Sequence, residues 1–167
     1  MNSSKEHFLE VINEHQGIIT NLCIIYYPCV EDQQDARQDI ILQLWKSFSS
    51  FRGESKISTW IYKVSLHTIL SKIRKERRTP YKETIGLHHR KTLVHFDNSD
   101  DDLQVLNQLI QSLKDLDKAI VVLYLEGYKN KETAQLLGLS SSNVSTRLNR
   151  IKTQLKSKFK TYSHEPK

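Results

Sequence analysis

The sequence predicts an all-α protein of two small helical domains joined by a flexible linker. Apolar residues recur at spacings of three and four over most of the 167-residue chain, and no stretch shows the alternation of a strand. Near the middle this periodicity stops, and Pro80, Gly86 and the acidic run DNSDDD take its place. Because this length suits one ordinary domain or two small ones, we expect domains at 1–78 and 102–167, with a linker at 79–101.

Three helices are predicted in the first domain. Residues 6–27 carry apolar side chains at helical spacing as far as Pro28, which cannot continue a helix. A second helix should run from about Asp32 to Phe48, and a third from Ile57 to a basic run ending at Arg77. The apolar face predicted for the second helix comprises Ala36, Ile40, Ile41, Leu44, Trp45 and Phe48.

Four helices are predicted in the second domain, and the last two form a helix-turn-helix. The first begins near Asp101 or Asp102, and the next covers Leu116 to Glu126 and ends at Gly127. Two short helices then follow, separated by the sequence GLS.

The helix-turn-helix is predicted from its corner and its buried stripe. Ala134 and Leu137 should face inward, Gly138 can adopt the left-handed conformation that ends a helix, and Ser140 can cap the next one. The residues expected to be buried on that next helix are Val144, Leu148, Ile151 and Leu155.

Subtracting this stripe leaves Ser142, Thr146, Asn149 and Arg150 pointing outward, with Arg147 at the flank. Arginine can bind a guanine edge and asparagine an adenine edge in the major groove of DNA. Lysines further along the helix can contact phosphate without sequence preference. The alternative is an ordinary helical hairpin with a solvated basic face.

The third helix of the first domain carries a stripe of aromatic and basic residues at spacings of three and four. Cations that follow a backbone, interleaved with rings that stack on bases, suit single-stranded nucleic acid. The alternative is that Trp60 belongs to the core and the lysines form a solvated face. The stripe consists of Trp60, Lys63, His67, Ser71 and Arg74, and the preceding loop adds Phe51, Arg52 and Lys56.

Composition narrows the classes of function. A net charge of +6 fits a polyanionic partner, although an acidic membrane surface would fit equally well. No run of 18 apolar residues and no secretion signal is present, so we expect a cytoplasmic protein. Cys23 and Cys29 are expected to be inert thiols, and we expect no metal, no cofactor and no small-molecule substrate. The sequence contains no P-loop, glycine-rich nucleotide fingerprint, HExxH or nucleophile elbow, which argues against an enzyme.

The segment DQQDARQDIILQLWKSFSSFRGESKISTWIYKVSLHTILSKIRKERR resembles region 2 of extracytoplasmic-function sigma factors. The segment LEGYKNKETAQLLGLSSSNVSTRLNRIKTQL is similar to their region 4. Both occur in the family's order, with a short linker between them. The resemblance implies a factor that binds core RNA polymerase, recognises the minus-ten and minus-thirty-five promoter elements and initiates transcription. It also implies an anti-sigma partner, in many members anchored to a membrane.

The resemblance also assigns roles to residues. The residues implied in polymerase binding are Asp35, Gln38, Asp39 and Gln43. Those implied in binding the minus-ten element are Phe51, Arg52, Ser55, Lys56, Trp60, Lys63, His67 and Arg74. Those implied in binding the minus-thirty-five element are Ser142, Asn143, Ser145, Thr146, Arg147, Asn149 and Arg150.

The chain departs from the family pattern at several positions. Ser58 stands where many members have arginine, and Lys114 replaces the proline that usually opens region 4. Ser145 and Asn149 stand where many members carry basic or larger residues. The promoter sequence therefore cannot be carried over from the family. A plain helix-turn-helix regulator is the main alternative, but it leaves the first domain unexplained.

Overall fold

The computed structural model describes residues 2–78 and 101–163, and these residues form eight helices and no strand. They belong to two compact units, each with its own core. The predicted all-α fold is confirmed. The predicted linker lies outside the described residues except for Asp101, where a helix begins.

The first unit contains α1 (Asn2–Glu14), α2 (Gln16–Tyr26), α3 (Val30–Phe48) and α4 (Ile57–Arg78). Helices α2, α3 and α4 contact one another, and α1 packs on α2 and α3. Burying each large aliphatic side chain stabilises such a core by about 1.5–3 kcal/mol. The fully buried residues include Ile19, Leu22, Ile40, Leu44, Ile61 and Leu66.

The single helix predicted over residues 6–27 is wrong, because the chain breaks at His15. This residue has φ −109° and ψ 15°, and it separates α1 from α2. Gly17, which follows closely, has a low helix propensity and makes an interruption inexpensive. The apolar spacing gives no sign of this break, because the apolar residues of both helices face the same core.

Trp45 was predicted on the buried face of the second helix, but 44% of its surface is exposed. Leu44, on the same predicted face, is buried as expected. The Trp45 ring touches Phe8 of α1 edge-on, with 5.0 Å between ring centroids. Part of the indole is therefore packed against Phe8, and much of the rest is exposed.

The second unit contains α5 (Asp101–Gln111), α6 (Asp115–Leu125), α7 (Asn130–Leu137) and α8 (Ser141–Ser163). Helix α8 contacts the other three helices through Val144, Leu148 and Ile151, which are buried as predicted, whereas Leu155 is half-buried. The prediction of a short last helix is wrong, because α8 has 23 residues. Neither glycine nor proline interrupts it.

The corner between α7 and α8 forms largely as predicted. Gly138 ends α7 with φ 67° and ψ 36°, a left-handed conformation that glycine adopts without a steric penalty. The Ser140 hydroxyl accepts a hydrogen bond from the Asn143 backbone N–H at 3.2 Å and so caps α8. Ala134 is buried, but the buried leucine of α7 is Leu136, and the predicted Leu137 is only half-buried.

Candidate functional site

One face of α3 combines polar and apolar side chains that are exposed. Asp35, Gln38, Leu42 and Trp45 lie at spacings of three and four, so they share this face, which we call the docking face. Leu42 is 48% exposed, so it adds apolar area to this face. Sequence reasoning singled out Asp35 and Gln38, did not single out Leu42, and placed Trp45 on the buried stripe.

Asp39 lies beside the docking face and forms an ion pair with α4. Lys72 Nζ donates to Asp39 Oδ2 at 2.7 Å, and both side chains are partly exposed. Burial of Lys72 disfavours its charged form, but the hydrogen bond and the charge of Asp39 outweigh this and raise the pKa of Lys72. Asp39 therefore links α3 to α4.

An open cleft of about 620 Å³ lies between α3 and α4. It brings together four members of the predicted aromatic and basic stripe, namely Trp60, Lys63, His67 and Ser71. Gln43, which was grouped with Asp35, lines this cleft instead. The α3 wall also carries Lys46 and Ser47, so the cleft has cations on both sides.

Trp60 connects this cleft to the loop that precedes α4. Its ring lies 5.2 Å from that of Phe51 and 6.1 Å from that of Phe48, measured between centroids. Aromatic pairs at such separations are mutually stabilising. Trp60 therefore anchors the loop while one side of it faces the cleft.

The loop before α4 holds polar residues that are also implied in binding the minus-ten element. Arg52, Ser55 and Lys56 are exposed, and Gly53 makes the turn with φ 72°. Arg74 is exposed further along α4, beyond the residues that line the cleft. We call Phe51, Arg52, Ser55, Lys56, Trp60, Lys63 and His67 together the loop–cleft surface.

The polar residues of α8 that the resemblance implies in binding the minus-thirty-five element differ in their exposure. Ser142, Asn143, Thr146 and Asn149 are exposed. Ser145 is half-buried, because its hydroxyl accepts a hydrogen bond from Asn130 Nδ2 at 2.7 Å and joins α8 to the start of α7.

The two predicted arginines of α8 share one carboxylate. Arg147 Nη1 lies 2.8 Å from Asp117 Oδ1, and Arg150 Nη2 lies 3.0 Å from Asp117 Oδ2. Arg147 Nε also donates to Asn143 Oδ1 at 2.9 Å. We call Asp117, Arg147 and Arg150 the arginine fork. Sequence reasoning missed Asp117, which precedes its partners by 30 and 33 residues and belongs to another helix.

Burial raises the pKa of the Cys23 thiol to about 11. A hydrogen bond from Cys29 Sγ to the Asp32 carboxylate raises the pKa of Cys29 as well. Both thiols are therefore protonated at neutral pH and weakly nucleophilic, as expected for inert cysteines.

Among the described residues, no three His, Cys, Asp or Glu side chains are placed to hold a metal ion. No helix in residues 2–78 and 101–163 is long and apolar enough to cross a membrane.

Comparison with protein families places two matches along the chain. Residues 11–79 match the model of sigma-70 region 2, and residues 103–155 match that of sigma-70 region 4. The RNA polymerase sigma factor YlaC of Bacillus subtilis is 30% identical over 134 residues, which cover 76% of this chain and 77% of that protein. The sigma-E factor of Haemophilus influenzae, named as an ECF RNA polymerase sigma factor, is 24% identical and covers 93% of this chain and 88% of its own.

Solved structures show the same fold. The sigma factor RpoE of Bartonella quintana, in complex with the anti-sigma factor NepR, has a TM-score of 0.65 at 18% identity. That comparison covers 94% of this chain and 96% of RpoE. CnrH, in complex with the cytosolic domain of CnrY, has a TM-score of 0.63 at 16% identity, covering 94% of this chain and 90% of CnrH.

Proposed function

The chain belongs to the sigma-70 family as an extracytoplasmic-function sigma factor for promoter recognition and transcription initiation, and we propose that its two units divide this task. The first unit, which carries region 2, docks on core RNA polymerase and captures the opened minus-ten element. The second unit, which carries region 4, reads the minus-thirty-five element as duplex. The cleft between α3 and α4, with rings and cations around it, is the observation that carries this division.

Polymerase binding is proposed for the docking face. Asp35 and Gln38 offer charge and hydrogen bonds, and Leu42 and Trp45 add exposed apolar area beside them. Protein interfaces combine apolar contacts with complementary charge in this way, and tryptophan is enriched among their main energetic contributors. Asp39 contributes indirectly, since its pair with Lys72 holds α3 against α4.

Strand capture is proposed for the loop–cleft surface. Unstacking a base costs a few kcal/mol, and stacking on an aromatic ring returns about 1–3 kcal/mol. Arg52, Lys56 and Lys63 supply charges for the backbone of the displaced strand. Trp60 holds Phe51 in place, so the loop meets the strand in a formed conformation. Arg74 extends this positive surface along α4.

Duplex reading is proposed for the exposed side of α8. Ser142, Thr146 and Asn149 face outward beside Arg150, which suits the edges of bases in a major groove. Arg147 donates a hydrogen bond to Asn143, and Ser145 accepts one from Asn130. Asn143, Ser145 and Arg147 therefore support the reading surface from its edges.

A sigma factor of this kind works beside polymerase in the cytoplasm and carries out no catalysis itself. We further propose an anti-sigma partner, because the two similar solved structures are of sigma factors bound to anti-sigma factors or to the cytosolic domain of a partner. Its most effective target would be the docking face, where it would compete with polymerase for Leu42 and Trp45.

Run-off transcription on a library of genomic fragments tests the proposal. Core polymerase supplied with this chain should start transcripts at a defined set of promoters, whereas core polymerase alone should not. A plain helix-turn-helix regulator would instead bind its DNA selectively without polymerase and would start no transcripts. Selective duplex binding without initiation would therefore overturn the assignment.

A further inference from the structure

Asp117 is a buried carboxylate whose two oxygens are both used by arginines of α8. Its side chain is only 7% exposed, while those of Arg147 and Arg150 are 31% and 62% exposed. A buried carboxylate is costly unless it is paired, so it holds its partners firmly. Asp117 lies in the first turn of α6, where the helix dipole also favours negative charge.

We propose that Asp117 is a positioning residue for promoter reading, because it orients Arg150, through the arginine fork, towards the minus-thirty-five duplex. The inference rests on the proposed function of α8. Arg147 braces the fork, since its guanidinium is held by Asp117 on one side and by Asn143 on the other.

The geometry leaves Arg150 able to bind DNA while it stays oriented. A guanidinium has several N–H donors, and the contact with Asp117 engages one nitrogen, Nη2. Most of the side chain is exposed and can meet a guanine edge. An arginine fixed before binding loses less conformational freedom when it binds, so the fork favours a selective contact over a loose one with phosphate.

The test compares holoenzymes containing the full chain. Wild-type holoenzyme first selects a minus-thirty-five sequence from randomised promoter duplexes. Selectivity is then the ratio of Kd for the same duplex with a scrambled minus-thirty-five element to Kd for the selected duplex. Failure of the wild type to select any sequence would count against the proposed function, whereas the inference is decided by the variants.

Asp117→Asn should lower selectivity by about tenfold, a typical share of one bidentate base contact. Binding to the scrambled duplex should stay equal or tighten slightly, since one negative charge near DNA is lost. Asp117→Glu keeps the carboxylate and should retain most of the selectivity. Glu126→Gln, which removes a charge from the exposed far end of α6, is the matched control and should behave as wild type.

A double-mutant cycle shows whether Asp117 acts through Arg150. In an Arg150→Ala background, Asp117→Asn should cause no further loss of selectivity. Full selectivity in folded Asp117→Asn, an equal loss in Asp117→Glu, or additive losses in the cycle would each overturn the proposal. If Asp117→Asn does not fold, Arg150→Lys tests the proposal, because it keeps the positive charge but loses the planar guanidinium. Wild-type selectivity in Arg150→Lys would then refute an oriented guanidinium.

Discussion

The two units hold their basic side chains differently. In the loop–cleft surface of the first unit the basic side chains are exposed around an open cleft, whereas in the second unit two arginines of α8 are held by one buried carboxylate. In the first unit, Arg52, Lys56 and Lys63 are exposed, and the rigid element there is the aromatic contact between Phe51 and Trp60. In the second unit, the rigid element is the arginine fork itself.

This difference matches what each unit is proposed to bind. A melted strand has many conformations, so rings that stack on any base and cations that follow a flexible backbone can accommodate it. A duplex presents donors and acceptors at fixed positions, so a side chain that reads them gains from a fixed orientation. Changes in the first unit should therefore affect polymerase binding and promoter opening, and changes in the second should affect sequence choice.

The largest effect should come from reversing the charge of the docking face in the first unit. Asp35→Arg should weaken core polymerase binding by about 100-fold, the range for an opposed charge at a close interface. Affinity for fluorescently labelled core polymerase measures this, and Glu6→Arg, at an exposed position of α1, is the control for net charge. Equal affinities for both variants would show that polymerase docks elsewhere.

Opening of the minus-ten element should be the next most sensitive property. The double variant Arg52→Ala and Lys56→Ala should reduce permanganate-reactive thymines about tenfold, because less attraction remains to hold the displaced strand. Upstream footprints should persist, since α8 is unchanged. A promoter with a premelted minus-ten bubble should restore binding close to wild type. Full opening of duplex by the double variant would remove the reason to treat these residues as a capture surface.

Changes along α8 should separate sequence choice from general affinity. Asn149→Ala should relax base preference at one position of the minus-thirty-five element by about 1–3 kcal/mol. Lys156→Ala, on the exposed later part of α8, should weaken binding to all sequences alike and lower the salt slope by about one unit. Titrations of selected and scrambled duplexes at several salt concentrations measure both effects. A uniform loss in Asn149→Ala would mean that this residue contacts phosphate.

The fold could be predicted because it depends on local patterns. Apolar spacing located Ile40, Leu44 and Ile151 in the cores, and Gly138 and Ser140 marked the helix-turn-helix corner. The break at His15 could not be found this way, because one non-helical residue does not disturb the stripe on either side.

The site could be predicted only in part, because contacts between distant helices leave no local signal. The sequence grouped Trp60, Lys63 and His67 correctly on one surface. It gave no sign that Asp117 meets Arg147 and Arg150, since any surface acid of α6 would have looked the same. Trp45 was misplaced because its spacing fits the buried stripe of α3, whereas 44% of its surface is exposed.

The smallest effect should come from the exposed ion pair of the first unit, which contrasts with the buried fork of the second. Lys72→Met removes the pair with Asp39, and both side chains are accessible enough for solvent to screen them. The expected loss in the free energy of unfolding is below about 1 kcal/mol at pH 8. Urea unfolding followed by tryptophan fluorescence measures it for the first unit alone, since both tryptophans of the chain, Trp45 and Trp60, lie there.

The difference in stability between wild type and Lys72→Met should decrease as the pH rises. Asp39 raises the pKa of Lys72 above its ordinary value of 10.5, so the charged lysine is more stable in the folded state. The contribution is therefore fully present below that ordinary value and disappears as the pH rises through the raised pKa. Wild type and Lys72→Met should thus converge in stability once the pH exceeds the raised pKa of Lys72. Ionisation of the buried Cys23 thiol, whose pKa is also raised, destabilises the fold in this range, and the Lys72 charge lowers the pKa of this thiol. Both proteins should therefore carry Cys23→Ala, which removes this titration from the difference. A gap that stayed constant through this range would mean that Lys72 stabilises the unit through its aliphatic stem and not through its charge.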